Sequence, residues 1–466
     1  MAIFKAFKDS DIINALEERA PHADVASDSK TLDQYQNDSY GLQIDHDHFV
    51  AIVKVSDVKD IQGVLSVARQ YHLPVVPQTA ATSVVSGSDA INHGILLSTA
   101  KMNQILEINP SDQVAVVQPG VINKHLNDEA NKVGMLYGPD PASRPMSSIG
   151  GNVNTNAGGM SNLKYGSTKD SVLGLQVVLA DGRILNLGGK TYKQAFGYDL
   201  THLFVGSEGT LGIITKVTVK LFPIPKSDSI LGMAFFNNLN DLSQAVATIR
   251  TSGVSPSMLE AMDHNVMKAI DQKDKTDYAD KGNSMLVFKL DNHDDDTLQT
   301  VRQILRKYHA TDLKVTKDAK EKATIIKARQ DMLPAVYADQ SKAYVMEDMA
   351  VPMSKFADLM ASINDISKKL DVNIYVAGHA GDGNVHPIVN WPKSEKGIPD
   401  NVQKAVQMMF RKSLELGGTI SGEHSVGSLK NQWVNTELGN NVDYLQQQIK
   451  SLLDPMHILN PKRKID

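Results

Sequence analysis

Apolar and polar residues along the first 220 positions follow a pattern that predicts strands joined by helices. Residues 50–55 predict a strand, and from Ser56 onward apolar residues recur at helical spacing before a short strand at 74–77. Residues 214–221 alternate apolar and polar positions, which is typical of a strand with one covered face. We predict further strands at 95–98, 114–118 and 175–180.

The pattern changes after Pro223 and Pro225, where we place a domain boundary. Beyond it, strands alternate with amphipathic helices, which favours an α+β domain with an antiparallel sheet. The predicted strands are 229–236, 284–290 and 372–377, and the predicted helices include 242–249, 297–308 and 402–414, with a helical tail after residue 430.

Composition narrows the class of protein. The 466 residues are 41% hydrophobic and 22% charged, which is ordinary for a globular protein of two or three domains. The net charge of −5 gives no sign of the basic surface that binds nucleic acid. The lack of cysteine excludes disulfides, iron–sulfur ligation and thiolate nucleophiles. Neither a signal-peptide core within residues 1–8 nor a run of roughly 18 apolar residues is present, so we expect a cytoplasmic protein with no transmembrane segment.

The most unusual segment is 149–159, which holds four glycines and three asparagines among eleven residues. We expect neither a stable helix nor a filled strand there, because glycine weakens both. A second glycine-rich tract, 206–212, leads into a strand, and the two together favour a large cofactor over simple turns. No G-x-G-x-x-G opens a helix, and 188–191 resembles a P-loop end whose first glycine is replaced by Ile184, so NAD and nucleoside triphosphates are disfavoured.

A second chemical signal lies at 378–387, where His379 and His386 are separated by a glycine-rich bend. A strand that bends at these glycines could bring both imidazoles to one cation. Downstream, Glu423 and His424 add a carboxylate and a third imidazole, and two histidines with one glutamate are a familiar ligand set for a divalent metal. Because the chain has 14 histidines, the residues alone support a metal site and a structural role about equally.

Several segments in one order carry a family resemblance: 139–141, 149–159, 164–166, 188–191, 197–200 and 205–213. Their order resembles the FAD domain of the vanillyl-alcohol oxidase/p-cresol methylhydroxylase superfamily, and within it the branch of glycolate oxidase flavoprotein subunits and FAD-linked D-lactate dehydrogenases. The likeness runs from about residue 45 over nearly the whole chain. It implies an α+β fold with a two-subdomain FAD-binding domain (1–225), a substrate cap with an antiparallel sheet (226–420), and a C-terminal segment that returns to the FAD domain (421–466).

The pyrophosphate loop departs from this family. Relatives carry Pro-Arg-Gly-Ala-Gly-Thr-Ser where residues 77–83 are Pro-Gln-Thr-Ala-Ala-Thr-Ser. A residue with a Cβ held at positive φ costs roughly 1–2 kcal/mol, so either the loop is reshaped with help from its hydroxyls or FAD binds more weakly. With no histidine in this loop, we expect FAD to be non-covalent. The resemblance implies that the FAD-binding residues are Pro77, Thr79, Ala80, Ala81, Thr82, Ser83, Pro139, Gly150, Gly151, Asn152, Asn156, Gly158, Tyr165, Gly166, Glu208, Gly209, Gly212, Ile214 and Asn460.

The same branch carries HAGDGN-x-HP and GEHG-x-G segments, whose histidines and glutamate bind a divalent metal. The resemblance therefore implies that His379, His386 and Glu423 hold zinc, manganese or iron. His424 would be the catalytic base, although Ser425 replaces the family glycine beside it. Arg329 lies where relatives set an arginine against the substrate carboxylate.

The implied reaction is oxidation of a small D-2-hydroxy acid, D-lactate or glycolate, with hydride transfer from Cα to flavin N5. A basic residue found in relatives that use dicarboxylic acids is absent near Met346, which favours a monocarboxylate. The alternatives are a sugar-acid or aldonolactone oxidase of the same fold and a non-catalytic flavin-binding subunit. The electron acceptor and the oligomeric state are left open, with a homodimer among the alternatives.

Overall fold

The computed structural model describes residues 7–35, 48–226, 228–291 and 294–465. Most of the N-terminal segment 1–8 lies outside these residues. The chain divides into two compact units. The first unit comprises Met1–Gly158, Gly166–Ile224 and Glu423–Asp466, and the second comprises Gly159–Tyr165 and Pro225–Gly422.

The elements are numbered in chain order. The strands are β1 (Asp24–Ala26), β2 (Ala51–Lys54), β3 (Val75–Gln78), β4 (Ile95–Ser98), β5 (Ile105–Asn109), β6 (Val114–Val117), β7 (Met135–Leu136), β8 (Val172–Val178), β9 (Ile184–Gly188), β10 (Ile213–Lys220), β11 (Phe222–Pro223), β12 (Ile230–Phe236), β13 (Pro256–Asp263), β14 (Ser284–Leu290), β15 (Leu313–Thr316), β16 (Lys342–Met346), β17 (Met349–Ala350), β18 (Asn373–His379) and β19 (Asn384–Pro392). The helices are α1 (Asp9–Arg19), α2 (Ser29–Leu32), α3 (Val58–Tyr71), α4 (Asn123–Asn131), α5 (Ile149–Thr155), α6 (Asn162–Tyr165), α7 (Thr168–Ser171), α8 (Thr201–Phe204), α9 (Leu239–Thr251), α10 (His264–Asp274), α11 (Tyr278–Lys281), α12 (Asp295–Lys307), α13 (Ala319–Gln330), α14 (Met332–Val336), α15 (Phe356–Leu370), α16 (Asp400–Glu415), α17 (Val434–Leu438) and α18 (Asn440–Leu453).

The first unit contains two principal sheets. One has the order β1-β2-β4-β3, in which β2, β4 and β3 run parallel and β1 is antiparallel. The Asp57 side chain caps α3 by accepting from the Asp60 backbone N–H, and the apolar stripe of α3 is buried beside this sheet. The other sheet, β5-β6-β10-β8-β9, is antiparallel throughout, and β10 alternates buried and half-buried positions along most of its length, as its sequence predicts.

The expectation that 149–159 forms no helix is wrong. Residues 149–155 form α5, which begins where the Ser148 hydroxyl accepts from the Gly151 N–H at 3.1 Å. It ends at Asn156, whose φ of +52° is left-handed. A Cβ on Gly150 would lie 2.4 Å from the Pro119 Cβ, so the glycine allows the helix to pack directly on that proline. Capping and tertiary packing therefore outweigh the low helix propensity of glycine and asparagine.

The second unit is built on an antiparallel sheet of order β15-β12-β14-β13-β18-β19-β16, with β17 also paired to β19. Its helices include the three that the apolar stripes predict, α9, α12 and α16. The predicted α+β class and the antiparallel cap sheet are confirmed. Strands β13 and β19, which the sequence analysis missed, lie next to β18 and carry residues of the candidate site.

The described residues include no helix with the length and apolar character needed to cross a membrane.

Candidate active site

The β18–β19 hairpin brings His379 and His386 together. His379 ends β18, and His386 pairs with Ala377, so the two imidazoles are diagonal neighbours on one face of the sheet. Their ring centroids are 5.2 Å apart and the rings are nearly perpendicular. Both side chains are buried. Gly383 makes the turn possible, because its φ is +84° and a Cβ there would lie 2.0 Å from the Val351 carbonyl oxygen.

Glu260 links His379 to Arg329. It lies on β13 directly opposite His379, and its Oε1 is 2.6 Å from the imidazole Nδ1. Its Oε2 accepts from Arg329 Nε at 2.6 Å. Burial alone would raise the pKa of Glu260, but the neighbouring His379 and Arg329 outweigh it and hold the pKa of this carboxyl below its ordinary value. Since a carboxylate only accepts, Nδ1 of His379 donates this hydrogen bond, so a metal ion would have to bind at Nε2.

Asp348 stands beside the second histidine. It is fully buried, with Oδ1 3.6 Å from His386 Nδ1 and 2.7 Å from the donating side-chain amide of Asn384. Sequence reasoning missed both Asp348 and Glu260. The available signal for Glu260 was a charged residue between Leu259 and Ala261 in an otherwise largely apolar run.

Glu423 and His424 begin the C-terminal segment of the first unit. The His424 Nε2 is 3.9 Å from Glu423 Oε1, and both side chains are mostly buried. The preceding residue, Gly422, ends the second unit, and a Cβ there would lie 2.1 Å from Asn384 Nδ2 and 3.0 Å from Asp348 Oδ1. The backbone that leads to Glu423 is therefore packed closely on Asn384.

Glu208 holds the segment that follows His424. Its Oε1 accepts from the Ser425 hydroxyl at 2.5 Å and from the Val426 N–H at 3.0 Å, and its Oε2 accepts from the Gly427 N–H at 2.8 Å. Ser425 has a left-handed φ of +76°. The carboxylate of Glu208 is thus engaged within the first unit.

Three predicted FAD-binding segments meet within the first unit. The 206–212 tract is tied to α5, because the Gly206 and Glu208 N–H groups donate to the Val153 and Asn154 carbonyls at 2.8 Å. Asn460 donates from its side-chain amide to the carbonyl of Glu208 at 2.8 Å. These segments form one surface in which backbone and amide groups are concentrated.

The loop 77–83 lies on this surface as well. A Cβ on Gly209 would lie 2.3 Å from Pro77 Cγ. Ala81, at the place of a family glycine, keeps a left-handed φ of +51°, and Thr79 is tied to Thr99 by a 2.6 Å hydroxyl hydrogen bond. The loop thus keeps a glycine-like conformation at Ala81 and bears the strain of its methyl group.

The described residues fit a polar ligand here. On the segments joined above, four buried atoms have no hydrogen-bond partner among the described residues: Asn152 Nδ2, Asn154 Oδ1, Ser207 Oγ and Asn460 Oδ1. A buried polar atom without a partner costs about 1–3 kcal/mol, so a ligand rich in phosphate, ribose and ring heteroatoms would relieve this cost. The segments that carry these atoms are the ones joined above.

The other predicted FAD-binding residues have varied surroundings. Pro139 accepts at its carbonyl from the Asn123 side chain, and Gly166 adopts a φ of +80°. Tyr165 belongs to the second unit, where its hydroxyl lies 3.4 Å from Asp291. Ile214 is buried in the core of the first unit, so only its backbone could touch a ligand. The remaining ones are Ala80, Thr82, Ser83, Gly151, Asn156, Gly158 and Gly212.

Comparisons with known proteins show the family to which the chain belongs. Residues 50–188 match a family model described as an FAD binding domain, and 225–463 match the C-terminal domain of FAD linked oxidases. The chain is 36% identical to glycolate oxidase subunit GlcD of Bacillus subtilis (strain 168) over 414 residues, 88% of each chain. It is 34% identical to D-lactate dehydrogenase of Archaeoglobus fulgidus over 425 residues, covering 89% of this chain and 91% of the relative. The structure of p-cresol methylhydroxylase with substrate bound superposes with a TM-score of 0.81 at 16% identity, covering 98% and 97% of the two chains.

Proposed function

Because the chain belongs to the FAD-linked oxidases, we propose that it is an FAD-dependent dehydrogenase that oxidises a small D-2-hydroxy acid, D-lactate or glycolate, to the 2-oxo acid. The predicted family and FAD chemistry are confirmed by these relatives. The observation that carries the proposed site is the buried pair His379 and His386, whose ring centroids are 5.2 Å apart and in which Glu260 contacts Nδ1 of His379 at 2.6 Å. Two buried imidazoles that lie side by side are suited to binding a divalent cation.

We assign His379, His386 and Glu423 as the ligands of this cation. Glu423 follows Gly422, whose backbone lies against Asn384 at the start of β19. When bound, a divalent metal lowers the pKa of a hydroxyl that it coordinates. His424 takes the hydroxyl proton at an imidazole nitrogen. We leave zinc, manganese and iron as alternatives.

Arg329 orients the substrate in this proposal. Its Nε is committed to Glu260, and its side chain is only 13% exposed. The two Nη groups of the same guanidinium are suited to a carboxylate in bidentate geometry. The surface that includes Asn152, Ser207 and Asn460 would hold FAD non-covalently, and the flavin would supply at N5 the acceptor for the hydride of the substrate Cα. His424 would take the hydroxyl proton, and the electron pair of the Cα–H bond would leave with the hydride.

An anaerobic titration tests the proposal. D-lactate, L-lactate, glycolate and D-2-hydroxyglutarate are added separately to the purified protein, and the flavin band at about 450 nm is followed. We expect D-lactate or glycolate to bleach it. A flavin that none of these acids bleaches would favour a sugar-acid or aldonolactone oxidase. A protein that takes up no added FAD would favour a non-catalytic complex-assembly subunit.

A variant pair tests the base. His424→Ala should retain FAD and lose reduction of the flavin by substrate, since no other group is assigned to take the hydroxyl proton. His309→Ala is the matched control, because its imidazole side chain is 80% exposed. Reduction at an undiminished rate in His424→Ala would remove this residue from the mechanism. The electron acceptor, a homodimeric state and a cytoplasmic location stay predictions.

A further inference from the structure

Glu260 is a buried carboxylate with two partners of different kinds. It lies inside the second unit on β13, flanked by Leu259 and Ala261, and its side chain is 1% exposed. One oxygen faces an imidazole and the other accepts from a guanidinium, each at 2.6 Å. The family resemblance assigns it no role. A carboxylate in such a place is costly unless its hydrogen bonds are made, so its presence calls for an explanation.

We propose that Glu260 is a positioning residue that holds the metal-binding imidazole of His379 and the substrate-binding guanidinium of Arg329 in one fixed geometry. The inference rests on the proposed function, because it takes the roles of those two residues from there. A carboxylate is planar and its two oxygens are a fixed distance apart. When each oxygen engages a different partner, the separation and orientation of the two partners are fixed as well.

The contact to His379 determines which nitrogen can bind a metal. A carboxylate that accepts from Nδ1 keeps a proton on that atom, so Nε2 is the nitrogen through which His379 would bind a metal. The cross-strand pairing of Glu260 with His379 on adjacent strands adds rigidity, because both backbones belong to the same sheet. A rotation of the imidazole would break the 2.6 Å contact.

The contact with Glu260 distinguishes Arg329 from Lys327, which lies near it on α13. Lys327, two positions earlier, is 57% exposed and pairs with Asp274 at 2.7 Å and with Asp331. Arg329 is directed to the buried carboxylate, and Ala328 between them is buried in the apolar core of the second unit. With Nε engaged, the guanidinium plane is fixed and its Nη edge is the part left to meet a carboxylate.

Glutamine at position 260 should disturb both partners. Its single amide oxygen can accept from the imidazole or from the guanidinium, and its NH₂ then faces the other donor. We therefore expect Glu260→Gln to bind Zn²⁺ and Mn²⁺ about 10- to 100-fold more weakly, the range typical of lost outer contacts to a metal ligand. With metal at saturation, KM for D-lactate should rise while the FAD content is unchanged. Metal affinity is measured by competition with a chelator.

Matched controls separate this role from simple destabilisation. Glu321→Gln makes the same chemical change on α13, where Glu321 pairs with Lys314 at the surface, and should leave metal affinity and KM unchanged. If Glu260→Gln fails to fold because it leaves Arg329 buried and unpaired, Glu260→Gln/Arg329→Met removes both charges. That double variant should still show the weakened metal binding. Wild-type metal affinity in either folded variant would overturn the inference.

His379→Ala makes failure of the inference distinguishable from failure of the proposed site. A wild-type protein that binds Zn²⁺ and Mn²⁺ no better than His379→Ala overturns both, since there is then no metal ligand to position. A wild-type protein that binds metal through His379, together with a Glu260→Gln variant of equal affinity and equal KM, overturns only the role of Glu260.

Discussion

The hydrogen bonds between Glu208 and residues 425–427 predict a measurable effect of Glu208→Gln. The carboxylate side chain is 3% exposed and accepts three hydrogen bonds, from the Ser425 hydroxyl and the Val426 and Gly427 N–H groups. A glutamine keeps one accepting oxygen. It can retain the bonds now made by Oε1 or the one made by Oε2, and its NH₂ would oppose the remaining donors.

The magnitude follows from the charged acceptor. A hydrogen bond to a charged group contributes about 1.5–3 kcal/mol, and a neutral one roughly half as much. Losing at least one bond and weakening the others should cost about 3 kcal/mol, which is roughly a 100-fold change in the equilibrium for local opening. Where the bond to Oε1 is the one lost, the φ of +76° at Ser425 adds to the tendency to open, since the hydroxyl bond no longer offsets its strain.

Hydrogen exchange is the direct assay. In Glu208→Gln, the amides of Val426 and Gly427 should lose roughly 100-fold in protection, since exchange then proceeds through local opening. Flavin reduction by substrate should also slow, because His424 precedes this segment. Glu107→Gln is the matched control, since Glu107 pairs with Lys190 on the surface of the same unit. Unchanged protection at both amides in Glu208→Gln would refute the reasoning.

Three further predictions concern stability. Burial raises the pKa of Asp263 to about 7, so the folded state holds a proton that the unfolded state releases above its ordinary pKa of 3.8, and stability falls as pH rises between these values. Asp263→Asn keeps an acceptor for the Val266 N–H. Its free energy of unfolding in urea, relative to that of wild type, should rise by about 3–4 kcal/mol from pH 4 to pH 8. A difference that does not change with pH would contradict the raised pKa of Asp263. Gly150→Ala should lower Tm, because a Cβ packed against Pro119 costs about 1–3 kcal/mol of stability. A Cβ on Gly151 would contact only the Ser148 hydroxyl, so an equal fall of Tm in Gly151→Ala would argue against this cause. Ala81→Gly should leave stability in thermal unfolding unchanged or raise it, because the φ of Ala81 is +51°. Ala80→Gly should lower stability by about 0.5–1 kcal/mol. An equal loss of stability in the two variants would show that Ala81 is unstrained.

Local periodicity was sufficient for much of the fold. The strand at 284–290 has the predicted bounds, and the stripe at 242–249 lies within α9. These elements have one buried face whose spacing is visible in the sequence. The helix at 149–155 was missed for the opposite reason: its residues have poor helix propensity, and it is stabilised by the Ser148 cap and by contact with Pro119, which is distant along the chain.

The two histidines of the hairpin could be paired from sequence, because the glycines between them require a turn within a few residues. Their supporting carboxylates could not. Glu260 and His379 are 119 residues apart in the sequence, and they come together only because β13 pairs with β18 in a particular register. Glu208 meets Ser425 across 217 positions and through side-chain contacts alone. No local spacing encodes such a pair, so motifs identify the groups proposed to do chemistry more readily than the groups proposed to orient them.

Ser425 shows why the two kinds of residue need to be considered together. At this position relatives carry glycine, which accepts a left-handed φ without cost, whereas a serine held at φ +76° is strained. The benefit of the side chain is the 2.5 Å bond from its hydroxyl to Glu208. The departure from the family motif is therefore intelligible only with the buried acceptor present. It follows that Ser425→Gly should be tolerated in wild type, and that its effect should not add to that of Glu208→Gln, because both changes act on the bond between the same two side chains.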